Sequence, residues 1–189
     1  MTQTAPSLTQ QDIARIARRI DRPIVLVGLM GVGKSTVGRR LANLIGVDFV
    51  DVDDEIERAA DRSVAEIFEE FGEPYFRNGE RRVMGRLIGE KQGVIATGGG
   101  AFVDPETRGL IREKAISVWL DCDIETLVER TARRDSRPLL RQGDPHAILL
   151  DLKERRSGSY SQADCHVVTD DGPHNATALR ILEAIDSWL

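Results

Sequence analysis

The sequence of 189 residues is poor in cysteine, lysine, aromatic residues and long apolar runs. Its two cysteines, Cys122 and Cys165, form neither a disulfide framework nor a metal-ligand spacing. No apolar stretch approaches the roughly 20 residues that a membrane helix needs. Arginines at positions 15, 18 and 19 interrupt the segment where a signal peptide would carry its apolar core. We therefore expect a cytoplasmic protein that neither enters a membrane nor depends on disulfides.

Basic charge is also scarce. The chain has 26 lysines and arginines against 31 aspartates and glutamates, which gives a net charge of −5. A nucleic-acid-binding surface requires concentrated positive charge, so nucleic acid is not an expected partner, whereas small anions are. Only four of the basic residues are lysines. A lone arginine is therefore weak evidence, and each arginine must be judged by the motif around it.

What the sequence does contain is a complete phosphate-binding loop, GLMGVGKS at residues 28–35. The apolar run before it predicts a buried strand, and residues 36–45 after it predict a helix. In such a loop the glycines let backbone N–H groups converge on phosphate oxygens at the start of the helix. Lys34 would reach the β and γ phosphates, and the Ser35 hydroxyl would ligate Mg²⁺. The candidate nucleotide-binding residues are Gly31, Val32, Gly33, Lys34, Ser35 and Thr36.

The rest of the chain predicts one α/β domain. Short apolar strands at 24–27, 47–53, 94–97, 115–120 and 165–169 alternate with helical patterns, which indicates a doubly wound parallel sheet. Residues 1–22 form an N-terminal extension whose short amphipathic helix starts at Thr9 and is expected to pack beside the first strand. Within the domain, 23–189, we expect a substrate-binding insertion at about 54–90 and a mobile lid at about 135–145.

The loop alone does not distinguish a switch, a motor and a kinase. The Asp-x-x-Gly and Asn-Lys-x-Asp motifs of GTPases are missing, and the third strand does not end in the acid typical of motor ATPases. Asp51 and Asp53 lie two apart near the end of the second strand, so both are predicted to face the ligand crevice. One would order Mg²⁺ and the other an acceptor hydroxyl. Alternatively, Asp53 or Asp54 caps the next helix.

Two further patterns suggest a site for a small anionic substrate. Three consecutive glycines, Gly98 to Gly100, follow the third strand, where exposed backbone can donate N–H groups to a small polar molecule. A plain turn is the alternative. Arg77 and Glu80 lie three residues apart, so on a helix Glu80 can brace the Arg77 guanidinium for a bidentate grip on a carboxylate. An exposed ion pair without a function is the alternative there.

Together these motifs have the order and spacing of shikimate kinase, which the chain resembles over about residues 23–189. The shared segments are residues 28–35, Asp51-Val52-Asp53, Phe76-Arg77 with Glu80, Gly98-Gly99-Gly100, Arg137-Pro138-Leu139-Leu140, and Arg156 with Tyr160. The resemblance implies a three-layer α/β/α P-loop NTPase fold with a five-stranded parallel sheet, like that of nucleoside monophosphate kinases. It also implies ATP-dependent phosphorylation of the 3-hydroxyl of shikimate, a step towards chorismate and the aromatic amino acids.

The resemblance also assigns roles to the matched residues. Arg77 and Arg156 would grip the shikimate carboxylate, while Asp53 would hold the acceptor hydroxyl, as a base or as a positioning group. Lys34 and Arg137 would neutralise charge on the transferring phosphoryl group. The implied substrate-binding set is Asp53, Arg77, Glu80, Gly98, Gly99, Gly100 and Arg156; the ATP-binding set adds Arg130, on adenine, and Arg137 to the loop residues; and Ser35 with Asp51 would order Mg²⁺. We expect a monomer that binds ATP or ADP and shikimate.

Other functions stay open at this point. Residues 170–174, DDGPH, only loosely resemble the adenine loop of the family. A kinase for another small molecule such as gluconate would share the loop and the fold, but has no reason to combine two arginines with a triple glycine. A nucleoside monophosphate kinase would need a base-reading pocket, for which there is no candidate. A nucleotide-binding regulatory protein without catalysis is disfavoured by the intact residues Lys34, Ser35, Asp51, Asp53 and Arg137.

Overall fold

The computed structural model describes residues 8–90, 93–133, 140 and 143–189. Within these residues the chain forms nine α-helices and one sheet of five strands. The strands are β1 Ile24–Val27, β2 Asp48–Asp51, β3 Gly93–Ala96, β4 Ile116–Asp121 and β5 Cys165–Val168. The helices are α1 Gln10–Arg19, α2 Lys34–Ile45, α3 Val52–Ala60, α4 Val64–Phe71, α5 Glu73–Glu90, α6 Pro105–Lys114, α7 Ile124–Ala132, α8 Pro145–Tyr160 and α9 His174–Trp188.

The sheet is parallel throughout, in the order β2-β3-β1-β4-β5. Its central strand, β1, is buried at every position, as expected for a strand covered by helices on both faces. The predicted five-stranded parallel sheet is therefore confirmed. In the register, Leu26 pairs with Ala96, and Asp51 pairs with the same alanine. The chain segments that follow β1, β2 and β3 consequently emerge side by side at one edge of the sheet, where ligands bind in open α/β folds.

Local sequence signals explain where several helices begin and end. Ser63 and Glu66 form a capping box at the start of α4, and Gly72 ends that helix. Asp104 caps α6, in which Pro105 occupies the first turn. Both cysteines are free and buried, where they pack as small apolar residues. In the described part of the chain, no helix combines the length and the apolar character needed to cross a membrane.

The prediction for the second strand is wrong at its end. We expected a strand over 47–53, but β2 ends at Asp51 and α3 begins at Val52. The Asp51 side chain accepts a hydrogen bond from the Asp53 backbone N–H at 3.0 Å and so caps α3. A cap satisfies an otherwise unpaired amide at the start of a helix, which favours ending the strand there. Asp53 therefore lies in the first turn of a helix.

The N-terminal helix packs on the domain rather than extending from it. Ile13 and Ile16 of α1 are buried, and the helix contacts α2 and α9. On its exposed side, Arg15 and Arg19 both pair with Asp186 near the end of α9. Exposed ion pairs of this kind contribute little to stability, so the two isoleucines are what hold α1 in place.

Candidate active site

The phosphate-binding loop connects β1 to α2 with the backbone that the sequence predicts. Gly31 and Gly33 have φ angles of +86° and +94°, a region in which a side chain is strained. A Cβ on Gly31 would also lie 2.9 Å from a methyl group of Thr131. Gly33 is the N-cap of α2 and has no side chain to occupy the first amides of the helix. The loop and the helix dipole therefore present positive potential at this point.

A cavity of about 570 Å³ opens in front of the loop. Arg130 joins two of its walls, because its guanidinium donates to the Val32 carbonyl at 3.4 Å and to the Asp170 carbonyl at 2.6 Å. We call this region the nucleotide end. The lining residues are Gly31, Gly33, Lys34, Ser35, Thr36, Glu129, Arg130, Arg133, Asp171, Gly172 and His174. The lining thus includes Asp171, Gly172 and His174 of the loosely matching segment 170–174, whereas Glu129 and Arg133 were not predicted from the sequence.

Two side chains at the start of α2 complete the nucleotide end. The Lys34 ammonium donates to the carbonyls of Gly28 and Leu29 at 2.7 and 2.8 Å, which holds it over the loop. The Ser35 hydroxyl donates to Asp51 Oδ2 at 2.6 Å. A hydroxyl and a carboxylate side by side are hard oxygen donors of the kind that Mg²⁺ accepts. Among the described residues no group of three or more His, Cys, Asp or Glu could hold a metal, but Mg²⁺ bound with substrate phosphates needs only one or two protein ligands.

Asp53 lies beside the triple glycine. Its Oδ1 would be 3.1 Å from a Cβ on Gly98, so the carboxylate faces the turn after β3. Burial and the charge of Asp51 raise the pKa of Asp53 to about 6, and Lys34 and Arg77 oppose that rise. Neither Asp53 nor Asp54 is the helix cap that we considered, because Asp51 has that position. A carboxylate with a pKa near neutrality next to a phosphate-binding loop is suited to accept a proton.

Arg77 and Glu80 form a buried ion pair on α5. The Arg77 Nη1 atom lies 2.6 Å from Glu80 Oε1, with Glu80 fully buried and the Arg77 side chain 18% exposed. Burial raises the pKa of Glu80, and the Arg77 charge opposes that shift. The pair is therefore not an exposed one, as the alternative supposed. Glu80 fixes one edge of the Arg77 guanidinium, as an arginine that grips an anion requires.

The triple glycine admits two guanidinium groups to close range. A Cβ on Gly99 would lie 2.7 Å from Arg156 Nη1, and a Cβ on Gly100 would overlap Nη2 of Arg77. A side chain at either position would displace a guanidinium group, so glycine there lets Arg156 and Arg77 lie against the turn. We call this region the acceptor end: Asp53, Arg77, Glu80, Gly98, Gly99, Gly100 and Arg156. The structure brings together every residue that the sequence predicted for the substrate.

The lid is the part of the prediction that the structure leaves aside. Arg137 and most of the segment 135–145 lie outside the described residues. The described end of that segment is Asp144, which caps α8, followed by Pro145 in the first turn of the helix.

A phosphate-binding loop on a parallel sheet, a cavity in front of it, and a carboxylate with two arginines alongside define a P-loop kinase for a small molecule. The shikimate kinase family model matches residues 30–186. A shikimate kinase from Novosphingobium aromaticivorans is 56% identical over all of both chains. One from Caulobacter vibrioides is 57% identical over 87% of this chain and 82% of its own.

Solved structures agree. A shikimate kinase from Acinetobacter baumannii in complex with shikimate has a TM-score of 0.84 and 40% identity, covering 88% of this chain and 93% of its own. A gluconokinase from Sinorhizobium meliloti, 18% identical with a TM-score of 0.55, shares the fold alone; it covers 89% of this chain and 97% of its own. The chain belongs to the shikimate kinase family.

Proposed function

We propose that this protein transfers the γ-phosphate of ATP to the 3-hydroxyl of shikimate, giving shikimate 3-phosphate and ADP in the pathway to chorismate. The observation that carries the proposal is the convergence of Arg77 and Arg156 on the triple glycine, next to Asp53. Two guanidinium groups suit a carboxylate, and a carboxylate of raised pKa suits a hydroxyl. Family membership and the A. baumannii structure, which contains shikimate, support the same substrate.

In this proposal the acceptor end orients shikimate by its carboxylate. Arg77, braced by Glu80, and Arg156 hold that group, and glycine backbone at 98–100 lies against the ring. Asp53 then accepts the proton of the 3-hydroxyl while that oxygen attacks the γ-phosphorus and ADP leaves. Holding both reactants in line converts a bimolecular reaction into an effectively unimolecular one, which supplies much of the rate enhancement.

At the nucleotide end, loop amides and Lys34 bind the phosphates, and Arg130 with the segment 170–174 contacts adenine. Arg137 would add charge neutralisation at the γ-phosphate from the lid. Ser35 and Asp51 would hold Mg²⁺, which would supply neutralisation of the phosphate charge. Lys34 already spans the loop through Gly28 and Leu29, so its ammonium needs only to turn towards an incoming phosphate.

The test is ATP turnover in a coupled assay with shikimate, gluconate, AMP or no acceptor. We expect rapid ATP turnover only when shikimate is the acceptor. The methyl ester of shikimate, which lacks the negative charge, should be a poor substrate through a raised KM, because the two arginines then face a neutral group. Equal turnover with gluconate, or with the ester, would contradict the assignment of the acceptor end. Turnover that ignores every acceptor would favour an ATPase or a regulatory protein.

A further inference from the structure

Tyr160, the last residue of α8, donates a hydrogen bond from its hydroxyl to the Gly99 carbonyl at 2.5 Å. Its side chain is almost completely buried. A buried tyrosine hydroxyl needs a hydrogen-bond partner, because burying an unpaired hydroxyl costs free energy. The partner here is the middle residue of the triple glycine, so Tyr160 contacts the back of the acceptor end.

Tyr160 and Arg156 approach the same glycine from one helix. They are four residues apart on α8, so both project from the same face, and Arg156 Nη1 lies against the α-carbon of Gly99. A trans peptide is planar, with its C=O and N–H on opposite sides. Because Tyr160 holds the Gly99 carbonyl, it also sets the direction of the Gly100 N–H, which points away from the tyrosine.

The ring of Tyr160 packs in the core, while its hydroxyl faces the acceptor end. Its ring lies 5.9 Å from that of Trp119 on β4. One helical turn before Arg156, Lys153 donates to the Cys122 carbonyl at 2.8 Å and pairs with Asp121 at 3.0 Å. These contacts anchor the end of α8 to β4. Burial raises the pKa of the Tyr160 hydroxyl, and the nearby Arg156 charge opposes that shift, so the hydroxyl keeps its proton and remains a donor.

We propose that Tyr160 is a positioning residue for the acceptor: its hydroxyl fixes the Gly99–Gly100 peptide in the orientation in which the triple glycine and Arg156 bind shikimate together. Three glycines in succession have many backbone conformations available. A hydrogen bond from a rigid, buried ring selects one of them before the acceptor arrives, which lowers the ordering cost of binding. This inference rests on the proposed function, since it names shikimate as the ligand whose binding is strengthened.

The experiment compares Tyr160→Phe with the wild-type protein. The substitution removes the hydroxyl and keeps the ring, so the core packing with Trp119 stays. We expect the KM for shikimate and its Kd from calorimetry to rise roughly fivefold, the size of one neutral hydrogen bond. The KM for ATP should stay within twofold. The matched control is Tyr75→Phe, which alters the only other tyrosine of the sequence. Tyr75 is exposed, so we expect no change in either constant.

A merely structural role would give a different pattern. If Tyr160→Phe lowers the melting temperature but leaves the shikimate Kd and KM at wild-type values, the inference is wrong while the proposed function stands. If both substrates lose affinity equally, it is wrong as well. If the wild-type protein neither binds nor phosphorylates shikimate, the proposed function fails and this inference fails with it. Tyr160→Leu, which removes the ring, should lower stability far more than Tyr160→Phe.

Discussion

The nucleotide end and the acceptor end of the site are assembled in different ways. At the nucleotide end, the phosphate-binding part is one continuous segment, residues 28–36, whose backbone and glycine angles form the cradle. The acceptor end draws Asp53, Arg77, Arg156 and the triple glycine from four separate segments. Phosphate binding therefore depends on local geometry, whereas acceptor binding depends on how α3, α5 and α8 pack around the end of β3.

The two ends also differ in electrostatic cost. Glu80 is fully buried, and within the described residues its Oε2 has no hydrogen-bond partner. Asp53 is held at a raised pKa beside Asp51. Buried charges of this kind cost stability, since an apolar side chain would be cheaper to bury. Charged side chains also line the nucleotide end, but Glu129, Arg133 and Asp171 there are exposed, so the cost of burying charge falls mainly on the acceptor end.

The largest effect should come from removing the charge of Asp53. We expect Asp53→Asn to lower kcat at least about 100-fold, because the amide cannot accept the proton of the acceptor hydroxyl. The Kd for ATP should change less than twofold, because Asp53 belongs to the acceptor end. Steady-state kinetics with shikimate and nucleotide binding by calorimetry measure the two quantities.

Asp54→Asn is the control for Asp53→Asn. Asp54 is the neighbouring carboxylate on α3 and is exposed, so it should keep wild-type kcat. If Asp53→Asn retained most of its activity, Asp53 would be removed from the mechanism, and the acceptor end would bind without taking part in the chemistry.

The second prediction tests the grip on the carboxylate. Arg77→Ala would leave Glu80 buried and unpaired, which costs about 3 to 5 kcal/mol of stability and obscures the result. Arg77→Lys keeps a positive charge beside Glu80 but loses the planar fork. We expect its shikimate KM to rise about 10- to 100-fold, as for a lost charge-assisted hydrogen bond, with an unchanged ATP KM. Kinetics with each substrate varied in turn measure both constants.

Arg82→Lys, at an exposed position of the same helix, is the matched control and should match wild type. An equal rise of both KM values in Arg77→Lys would mean that Arg77 supports the whole domain. In that case the division of the site into two ends would be wrong at this residue.

The same division explains what could be predicted from the sequence. The nucleotide loop is local, so residues 28–35 predicted strand, turn and helix correctly. The predicted end of β2 was wrong. The two-residue period of side chains assumes that the strand continues, whereas Asp51 ends the strand by capping α3. Burial of Glu80 and the contact of Tyr160 with Gly99 depend on packing between distant segments. No spacing along the chain reveals them, although the matched family motifs already contained both residues.

The third prediction concerns pH. A base acts only when deprotonated, and the pKa of Asp53 is raised to about 6. The value of kcat/KM for shikimate should therefore fall below pH 6, about tenfold for each unit of pH. Because the raised pKa means that the folded state binds this proton more tightly than the unfolded chain, acidification from pH 7 to 5 gains stability at this residue. Activity should fall in that range before the protein unfolds.

The pH dependence of kcat/KM is measured by stopped assay from pH 5 to 8, with circular dichroism as a check on folding. The fall at low pH, the acid limb of the profile, should be absent from the residual activity of Asp53→Asn. A limb of the same midpoint in that variant would assign it to another group. Wild-type activity that stays constant down to pH 5 would show that the pKa of Asp53 is far less perturbed than its surroundings indicate.

The smallest effect should come from Arg130, the side chain that joins two walls of the nucleotide end. We expect Arg130→Ala to raise the ATP KM about three- to tenfold through loss of stacking on adenine, and to leave the shikimate KM unchanged. Arg130 also donates to the carbonyls of Val32 and Asp170, so its loss frees the segment 170–174 from the loop.

The matched control is Arg133→Ala, in the same cavity wall but at an exposed position, which should have a weaker effect. Arg130→Ala and Arg77→Lys are complementary tests. The first should raise only the KM for ATP, and the second only the KM for shikimate. A rise in the shikimate KM with Arg130→Ala would show that the two ends are coupled, and the site would then have to be treated as one unit.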